Sequence, residues 1–91
     1  MTDVRTQPAS KDVAAQSIDL DCSGLLCPLP VYKAALVLNQ LSDGDQLRLV
    51  TTDPGALRDI PAMTRQRGDT LVSVEEADGR QVFQIEKGMA R

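Results

Sequence analysis

The stretch that decides the fold spans residues 18–30 and reads IDLDCSGLLCPLP. Apolar and polar residues alternate over 18–22, which predicts a short strand with one apolar face. Gly24 then marks a turn. Pro28 and Pro30 follow, and the first turn of a helix tolerates proline because its N–H groups have no intrahelical partner. We therefore expect a strand, a turn and a helix that begins at Pro28.

The first predicted helix continues as an apolar stripe at helical spacing and ends near Gly44. The stripe consists of Val31, Ala34, Ala35, Leu38 and Leu41. Residues 46–51 alternate again and predict a second strand.

A second helix is predicted to start at Asp53 and Pro54. Asp53 would be the N-cap, whose side chain accepts a backbone hydrogen bond, and Pro54 would be the first helical residue. Pro61 is expected to kink or split this helix, and Gly68 to end it.

Residues 70–76 and 80–86 predict two strands joined by a tight hairpin at Asp78-Gly79. The order β-α-β-α-β-β favours an α/β fold, a two-layer sandwich with a mixed four-stranded sheet and two helices on one face. We expect this domain to span residues 18–88, preceded by a disordered tail at 1–17, which lacks sustained periodicity.

Composition excludes several classes of chemistry. The 91 residues contain no histidine and two cysteines, Cys22 and Cys27. Histidine-assisted nucleophiles and a four-thiolate zinc site are therefore excluded, and we expect no metal. The net charge of −3 argues against direct nucleic-acid binding. Without a spanning segment or a leader pattern, we expect no membrane association and a cytoplasmic location with reduced thiols.

The candidate nucleophile is Cys27, at the junction of a glycine turn and a helix start. Free N–H groups and the positive end of the helix dipole stabilise a thiolate there. Pro28 and Pro30 remove two of those amides but stiffen the loop, so an exposed, activated thiol is one interpretation and a small buried apolar residue is the other. Cys22 ends an apolar strand face and is expected in the core.

The sequence resembles the TusA/SirA family of small sulfur carrier proteins. The resemblance rests on the run LDCSGLLCPLP at 20–30, on the blocks TDP at 52–54 and RDIP at 58–61, and on the Asp78-Gly79 hairpin, and it covers residues 18–88. It implies a two-layer α/β sandwich and a cysteine that carries a persulfide, which maps onto Cys27.

The resemblance also implies partners and no separate cofactor. Cys27 would accept sulfur as a covalent persulfide from a cysteine desulfurase or a rhodanese-like protein, and an acceptor protein with a reactive cysteine would take it. Relatives serve tRNA thiolation, molybdenum-cofactor sulfuration and sulfur oxidation, and the motif is common to all three.

One position departs from the pattern. Many relatives have arginine before the active cysteine, where this chain has Leu26. We therefore expect Cys27 to be less activated than in those relatives, unless Arg58 or Lys33 compensates.

The second block has two interpretations. Asp53 is most simply a helix cap and Asp59 a surface charge beside Arg58. The family pattern instead implies that Asp53, Pro54, Arg58 and Asp59 belong to a partner-docking face beside Cys27.

Two other functions stay open from the sequence. One is a noncatalytic regulatory module that binds RNA or protein, because a fold does not fix a function. The other is a two-cysteine redox protein, although Cys22 and Cys27 lack the Cys-x-x-Cys spacing of disulfide oxidoreductases.

Overall fold

The computed structural model describes residues 16–88. Their elements are β1 (Ser17–Cys22), α1 (Leu29–Gln40), β2 (Gln46–Thr51), α2 (Ala56–Arg67), β3 (Thr70–Ala77) and β4 (Arg80–Glu86). The predicted order of strands and helices is confirmed. Residues 1–15 of the tail predicted at 1–17 lie outside the described residues, whereas Gln16 is described and Ser17 already opens β1.

The four strands form one mixed sheet in the order β1-β2-β4-β3. β1 and β2 are parallel, whereas β4 is antiparallel to both β2 and β3. Cys22, the last residue of β1, is opposite Thr51, the last residue of β2. The chain therefore leaves both strands at the same edge of the sheet, and the loops that lead into α1 and α2 begin side by side.

The core lies between the helices and one face of the sheet. Alternate residues of β1, β2 and β4 point into this layer, as the period of two requires. The two helices bury the residues that share a stripe, including the predicted Ala34 and Leu38 of α1 and Ile60 of α2. The buried apolar cluster consists of Cys22, Ala34, Leu38, Leu47, Leu49, Ala56, Ile60, Met63, Phe83 and Ile85.

The predicted bounds of α1 are wrong at both ends. The helix begins at Leu29, with Pro28 at the cap position, and ends at Gln40 because Leu41 is extended. The Lys87 ammonium group donates hydrogen bonds to the carbonyl oxygens of Leu38 and Leu41, at 2.7 and 3.0 Å. This cation satisfies carbonyl groups that the helix end leaves without partners.

The predicted start of α2 is wrong, and one of the two effects expected of Pro61, a split of the helix, is excluded. The helix begins at Ala56 with Gly55 at the cap position, two residues after the predicted start at Pro54. It also continues through Pro61 to Arg67 without splitting. Ile60 and Met63 on either side of the proline are both buried against the core, which holds the two halves of the helix on the same layer.

Asp45 ties both ends of the described segment to the loop before β2. Its buried carboxylate accepts hydrogen bonds from the backbone N–H groups of Gln16, at 3.0 Å, and of Ser42, at 2.8 Å. The backbone N–H of Lys87 donates to the Asp45 carbonyl oxygen at 2.8 Å. These donors lower the pKa of the Asp45 carboxyl and keep it ionised.

The hairpin between β3 and β4 turns at Asp78 and Gly79, as predicted. Both residues have positive φ, 55° and 74°, as a tight two-residue hairpin turn requires. β3 is the edge strand and is largely exposed, with a register shift between Leu71 and Ser73. Within the described residues, no helix is long and apolar enough to cross a membrane.

Gly68 ends α2 as predicted, with φ +88° and its N–H bonded to the Thr64 and Arg65 carbonyl groups. A β-carbon at Gly68 would meet no atom within 4 Å, so Gly68→Ala changes only the backbone energy. We expect it to lower the free energy of unfolding by about 1 kcal/mol in urea titrations. Gly68→Asn should cost less, because asparagine tolerates this conformation better. Equal stability of Gly68→Ala and the unsubstituted chain would contradict the assigned cap.

Candidate functional site

The site forms at the edge of the sheet where the parallel strands β1 and β2 both end. Cys27 lies in the loop between β1 and α1, and the loop between β2 and α2 passes directly beside it. A β-carbon added at Gly55 would lie 3.6 Å from the β-carbon of Cys27. The two helix starts therefore converge on one thiol.

The turn before Cys27 depends on Gly24. Its φ of +82° is a conformation that side chains with a β-carbon rarely adopt. The Gly24 N–H donates to the Thr52 hydroxyl oxygen at 2.8 Å, and the Leu25 N–H donates to the Cys22 carbonyl oxygen at 3.1 Å. The first bond connects the β1–α1 loop to the residue after β2, so the predicted supporting role of Gly24 has a structural basis.

The two prolines lie on opposite sides of the helix start. The Cys27-Pro28 peptide bond is cis, and Pro28 is exposed, whereas Pro30 is buried in the first turn of α1. The Leu29 N–H donates to the Leu26 carbonyl oxygen at 2.9 Å, which closes a turn around Cys27. Pro30 thus anchors the helix start to the core while Cys27 stays half-buried at the surface.

Asp53 is not the helix cap that the sequence predicted. One oxygen of its carboxylate accepts the Cys27 backbone N–H at 2.7 Å, and the other accepts the Gly55 N–H at 3.0 Å. Those two donors lower the pKa of the Asp53 carboxyl. The charge-assisted hydrogen bond from Cys27 to Asp53 therefore joins the two loops of the site. The cap position of α2 is occupied by Gly55.

Gly55 is a site residue that the sequence analysis missed. Its backbone lies against Cys27, and a β-carbon at this position would also come within 3.5 Å of the Asp53 carboxylate. The Pro54-Gly55 pair after Asp53 is a turn signal that indicates such a close approach. Pro54 itself is exposed on the rim of the site.

A buried polar pair supports the Asp53 loop from below. Thr51 and Gln81 are both buried and face each other across β2 and β4. With its nitrogen toward β2, the Gln81 carboxamide donates to the Thr51 hydroxyl oxygen at 2.6 Å and to the carbonyl oxygens of Thr51 and Asp53, both at 3.2 Å. We assign this orientation because it pairs the nitrogen with acceptors only. Gln81 lies in a strand whose period predicts only an inward side chain, so no sequence pattern indicates this role.

The pKa of the Cys27 thiol is raised, which disfavours the interpretation of Cys27 as an activated thiolate. Burial raises it most, followed by the negative charges of Asp53 and Asp59. Arg58 lowers the pKa but does not offset these effects. Lys33 acts on Cys22 instead, so the predicted compensation by Arg58 or Lys33 does not restore an acidic thiol.

Arg58 and Asp59 form the outer rim of the site. The Arg58 side chain is exposed, and its Nε lies 3.4 Å from an Asp59 carboxylate oxygen. Asp59 thus has the arginine neighbour that the sequence predicted. Its negative charge also raises the pKa of the Cys27 thiol, which the sequence did not reveal. Asp53 and Gly55, at the start of this segment, lie beside Cys27, and the partner-docking face implied by the family pattern stays a prediction.

An apolar strip extends from the site along the outer face of α1. Leu29, Tyr32 and Leu36 recur at helical spacing and are 47%, 60% and 62% exposed, and the adjacent Leu26 is 71% exposed. We call these four residues the α1 strip. Its position next to Cys27 offers a partner protein an apolar contact surface around the thiol.

Cys22 lies in the core, as predicted. It is fully buried, and both cysteines are free thiols. Burial is the main cause that raises the pKa of Cys22. In residues 16–88 no three histidine, cysteine or acidic side chains cluster so that they could hold a metal ion.

Comparisons with known proteins agree with this geometry. Residues 18–87 match the family described as Sulfurtransferase TusA. The chain is 42% identical over 69 residues to the sulfur carrier protein TusA of Allochromatium vinosum, covering 76% of this chain and 91% of that protein. It is 45% identical over 60 residues to a putative sulfur carrier protein of Neisseria meningitidis serogroup A, covering 66% and 81% of the two chains.

A solved structure has the same fold. The SirA-like protein of Desulfitobacterium hafniense superposes with a TM-score of 0.68 over 81% of this chain and 99% of that chain, at 24% identity. This likeness confirms the predicted sandwich of a four-stranded sheet and two helices.

The raised pKa of Cys27 predicts that its alkylation requires a higher pH than that of an unconstrained thiol. We expect the iodoacetamide rate of folded Cys27 to reach half its maximum at a higher pH than that of Cys27 in the urea-unfolded chain, because only the folded state buries the sulfur and exposes it to the negative charges of Asp53 and Asp59. Mass spectrometry of the Cys27 peptide separates its rate from that of Cys22. A lower midpoint in the folded chain would mean that the helix starts outweigh the carboxylates.

Proposed function

Because the chain belongs to the TusA family, we propose that it is a sulfur carrier in which Cys27 accepts sulfane sulfur as a persulfide and passes it to a cysteine of an acceptor protein. The observation that carries the proposal is the contrast between the two thiols. Cys27 is at the surface where two helix starts converge, whereas Cys22 is sealed in the core.

Loading is a thiol–persulfide exchange. The Cys27 sulfur attacks the terminal sulfur of a persulfide on the donor, a cysteine desulfurase or a rhodanese-like protein. A bond forms between the two sulfur atoms as the donor's S–S bond breaks, and its electron pair leaves with the donor cysteine as a thiolate. The proton lost by Cys27 balances this thiolate, so the exchange needs no external oxidant or reductant. A reducing compartment such as the cytoplasm keeps Cys27 available for it.

Delivery repeats the exchange with the roles reversed. A thiolate of the acceptor attacks the outer sulfur on Cys27, and Cys27 leaves as a thiolate that takes up a proton. Both steps require the partner cysteine to reach Cys27 closely, so each partner has to cover the surface around this residue. The half-buried position of Cys27 suits a sulfur that a partner docks over.

The surroundings of Cys27 supply that docking surface in our proposal. Asp53, Pro54, Arg58 and Asp59 form its polar side, and the α1 strip forms its apolar side. An apolar centre with a polar rim is the usual composition of a protein interface.

The proposal predicts sulfur loading at one residue. After incubation with a cysteine desulfurase and cysteine, we expect the chain to gain the mass of one sulfur atom, and a reductant to remove it. Cys27→Ser should abolish the gain and Cys22→Ser should retain it, with circular dichroism to verify that both variants fold. Equal loss in both variants would refute the single-site mechanism. Absence of loading in the folded, unsubstituted chain would favour a noncatalytic binding module instead.

The α1 strip predicts a difference between protein donors and small donors. Tyr32→Ser removes a 60% exposed ring near Cys27, so loading from a desulfurase should slow about threefold or more, because truncation of an aromatic contact at the centre of an interface costs about 1 kcal/mol or more. Loading from a small-molecule persulfide should stay unchanged. Val72→Ser, at a 51% exposed site on β3, is the matched control and should affect neither rate. Equal slowing with both donors would exclude a docking role for Tyr32.

A further inference from the structure

Gln81 is a buried polar residue on a strand face that is otherwise apolar. The inward residues of β4 are Gln81, Phe83 and Ile85, and all three are almost fully buried. Burial of a carboxamide costs free energy that an apolar side chain would not cost, unless its polar atoms find partners. Gln81 is the first inward residue of β4 and lies opposite Thr51, the last residue of β2, at the edge of the sheet where the site forms. Its place in the strand therefore points to a role in the site.

The Gln81 side chain holds the backbone of Asp53. Its carboxamide nitrogen donates to the Asp53 carbonyl oxygen at 3.2 Å, and the Ala56 N–H donates to the same oxygen at 3.0 Å. This carbonyl group is therefore held from two sides, by β4 and by the start of α2. The carboxylate of the same residue accepts the Cys27 N–H at 2.7 Å. Two hydrogen bonds, both made to Asp53, thus connect the buried carboxamide to the backbone of Cys27.

We propose that Gln81 is a positioning residue for sulfur transfer, which holds Cys27, through Asp53, in the place where the cysteine of a docked partner reaches it. The inference rests on the proposed sulfur-carrier function and adds to it a residue that acts from the core. A partner that covers the surface around Cys27 approaches from a fixed direction, and a misplacement of about 1 Å can slow such a reaction about 100-fold. A small reagent approaches from any open side and does not need that placement.

The first test measures how firmly the Cys27 backbone is held, without any sulfur transfer. Gln81→Met keeps an unbranched side chain of similar length and removes the donor. We expect the Cys27 amide to exchange with solvent about tenfold faster in NMR measurements, because its acceptor on Asp53 is held less firmly. The amide of Leu49, in the core strand β2, provides the reference for overall stability. An unchanged Cys27 rate in the folded variant would overturn the proposal.

Thr64→Val is the matched control. Thr64 is also buried, and its hydroxyl donates to the Pro61 carbonyl oxygen at 2.9 Å, within α2. The substitution removes a buried hydrogen bond that stays inside the helix, so the Cys27 amide should keep its exchange rate relative to Leu49. Equal acceleration in both variants would show that the loss of any buried hydrogen bond loosens the loop, and would refute a specific role of Gln81.

The second test compares a protein donor with a small reagent. In Gln81→Met we expect the loading rate at saturating desulfurase to fall about tenfold, with the half-saturating concentration unchanged because the exposed docking residues stay intact. Alkylation of Cys27 by iodoacetamide should stay within about twofold of its original rate, because it needs no fixed direction of approach. Equal slowing with iodoacetamide would mean that the thiol itself has become less reactive, and would overturn the positioning role.

Gln81→Glu tests the donor itself and keeps a polar side chain of the same size. The new carboxyl group can donate to the Asp53 carbonyl oxygen when it is protonated, whereas its ionised form is an acceptor only. Relative to the unsubstituted chain at the same pH, this variant should load sulfur normally at low pH and more slowly as the pH rises. A loading rate reduced equally at every pH would refute the need for a donor at this position.

These tests separate the inference from the proposed function, because amide exchange and alkylation use no sulfur donor. A chain that shows the exchange effect but takes up no sulfur from a desulfurase would refute the carrier function and keep the link from Gln81 to Cys27. A chain that loads sulfur on Cys27 and shows no effect of Gln81→Met would refute the positioning role and keep the carrier function.

Discussion

The site depends on the bond between the Asp53 carboxylate and the Cys27 backbone N–H, 2.7 Å long. The two residues belong to loops that follow different strands, and the parallel pairing of β1 and β2 brings those loops together. The second Asp53 oxygen fixes the Gly55 N–H at the start of α2. One ionised side chain therefore sets the position of the thiol relative to both helices, and the buried Gln81 supports its backbone.

The same carboxylate that positions Cys27 also makes the thiol harder to ionise. The thiol in such a site is held in a defined position, but its intrinsic reactivity is lowered. For a protein that carries sulfur between partners, a subdued thiol in the free state limits reaction with unrelated disulfides and oxidants, which attack the thiolate form. Reactivity would then depend on what docks over the site.

Local patterns in the sequence predicted the elements, because periodicity, turn residues and the Asp78-Gly79 pair act over a few residues. They also singled out Cys27 and placed Cys22 in the core. The assignment of Asp53 failed because its decisive partner is 26 positions away along the chain and bonds through the backbone, which no side-chain pattern reveals. The shift in the pKa of Cys27 could not be predicted from the sequence for a related reason. It depends on how deeply the thiol is buried and on the distance to Asp59, which only the fold determines.

Asp45 has a consequence for how this fold can be excised or joined to other proteins. Its buried carboxylate accepts a hydrogen bond from the Gln16 backbone N–H, and its carbonyl oxygen accepts one from the Lys87 backbone N–H. Both ends of the fold are therefore bonded to Asp45. Removal of Gln16 would take away a donor from a buried charge, and removal of Lys87 would also uncover the end of α1. The Gly88 N–H donates to the Asp69 carboxylate at 3.0 Å, so residues 16–88 are needed to keep these polar groups paired, and a fusion partner belongs outside this range.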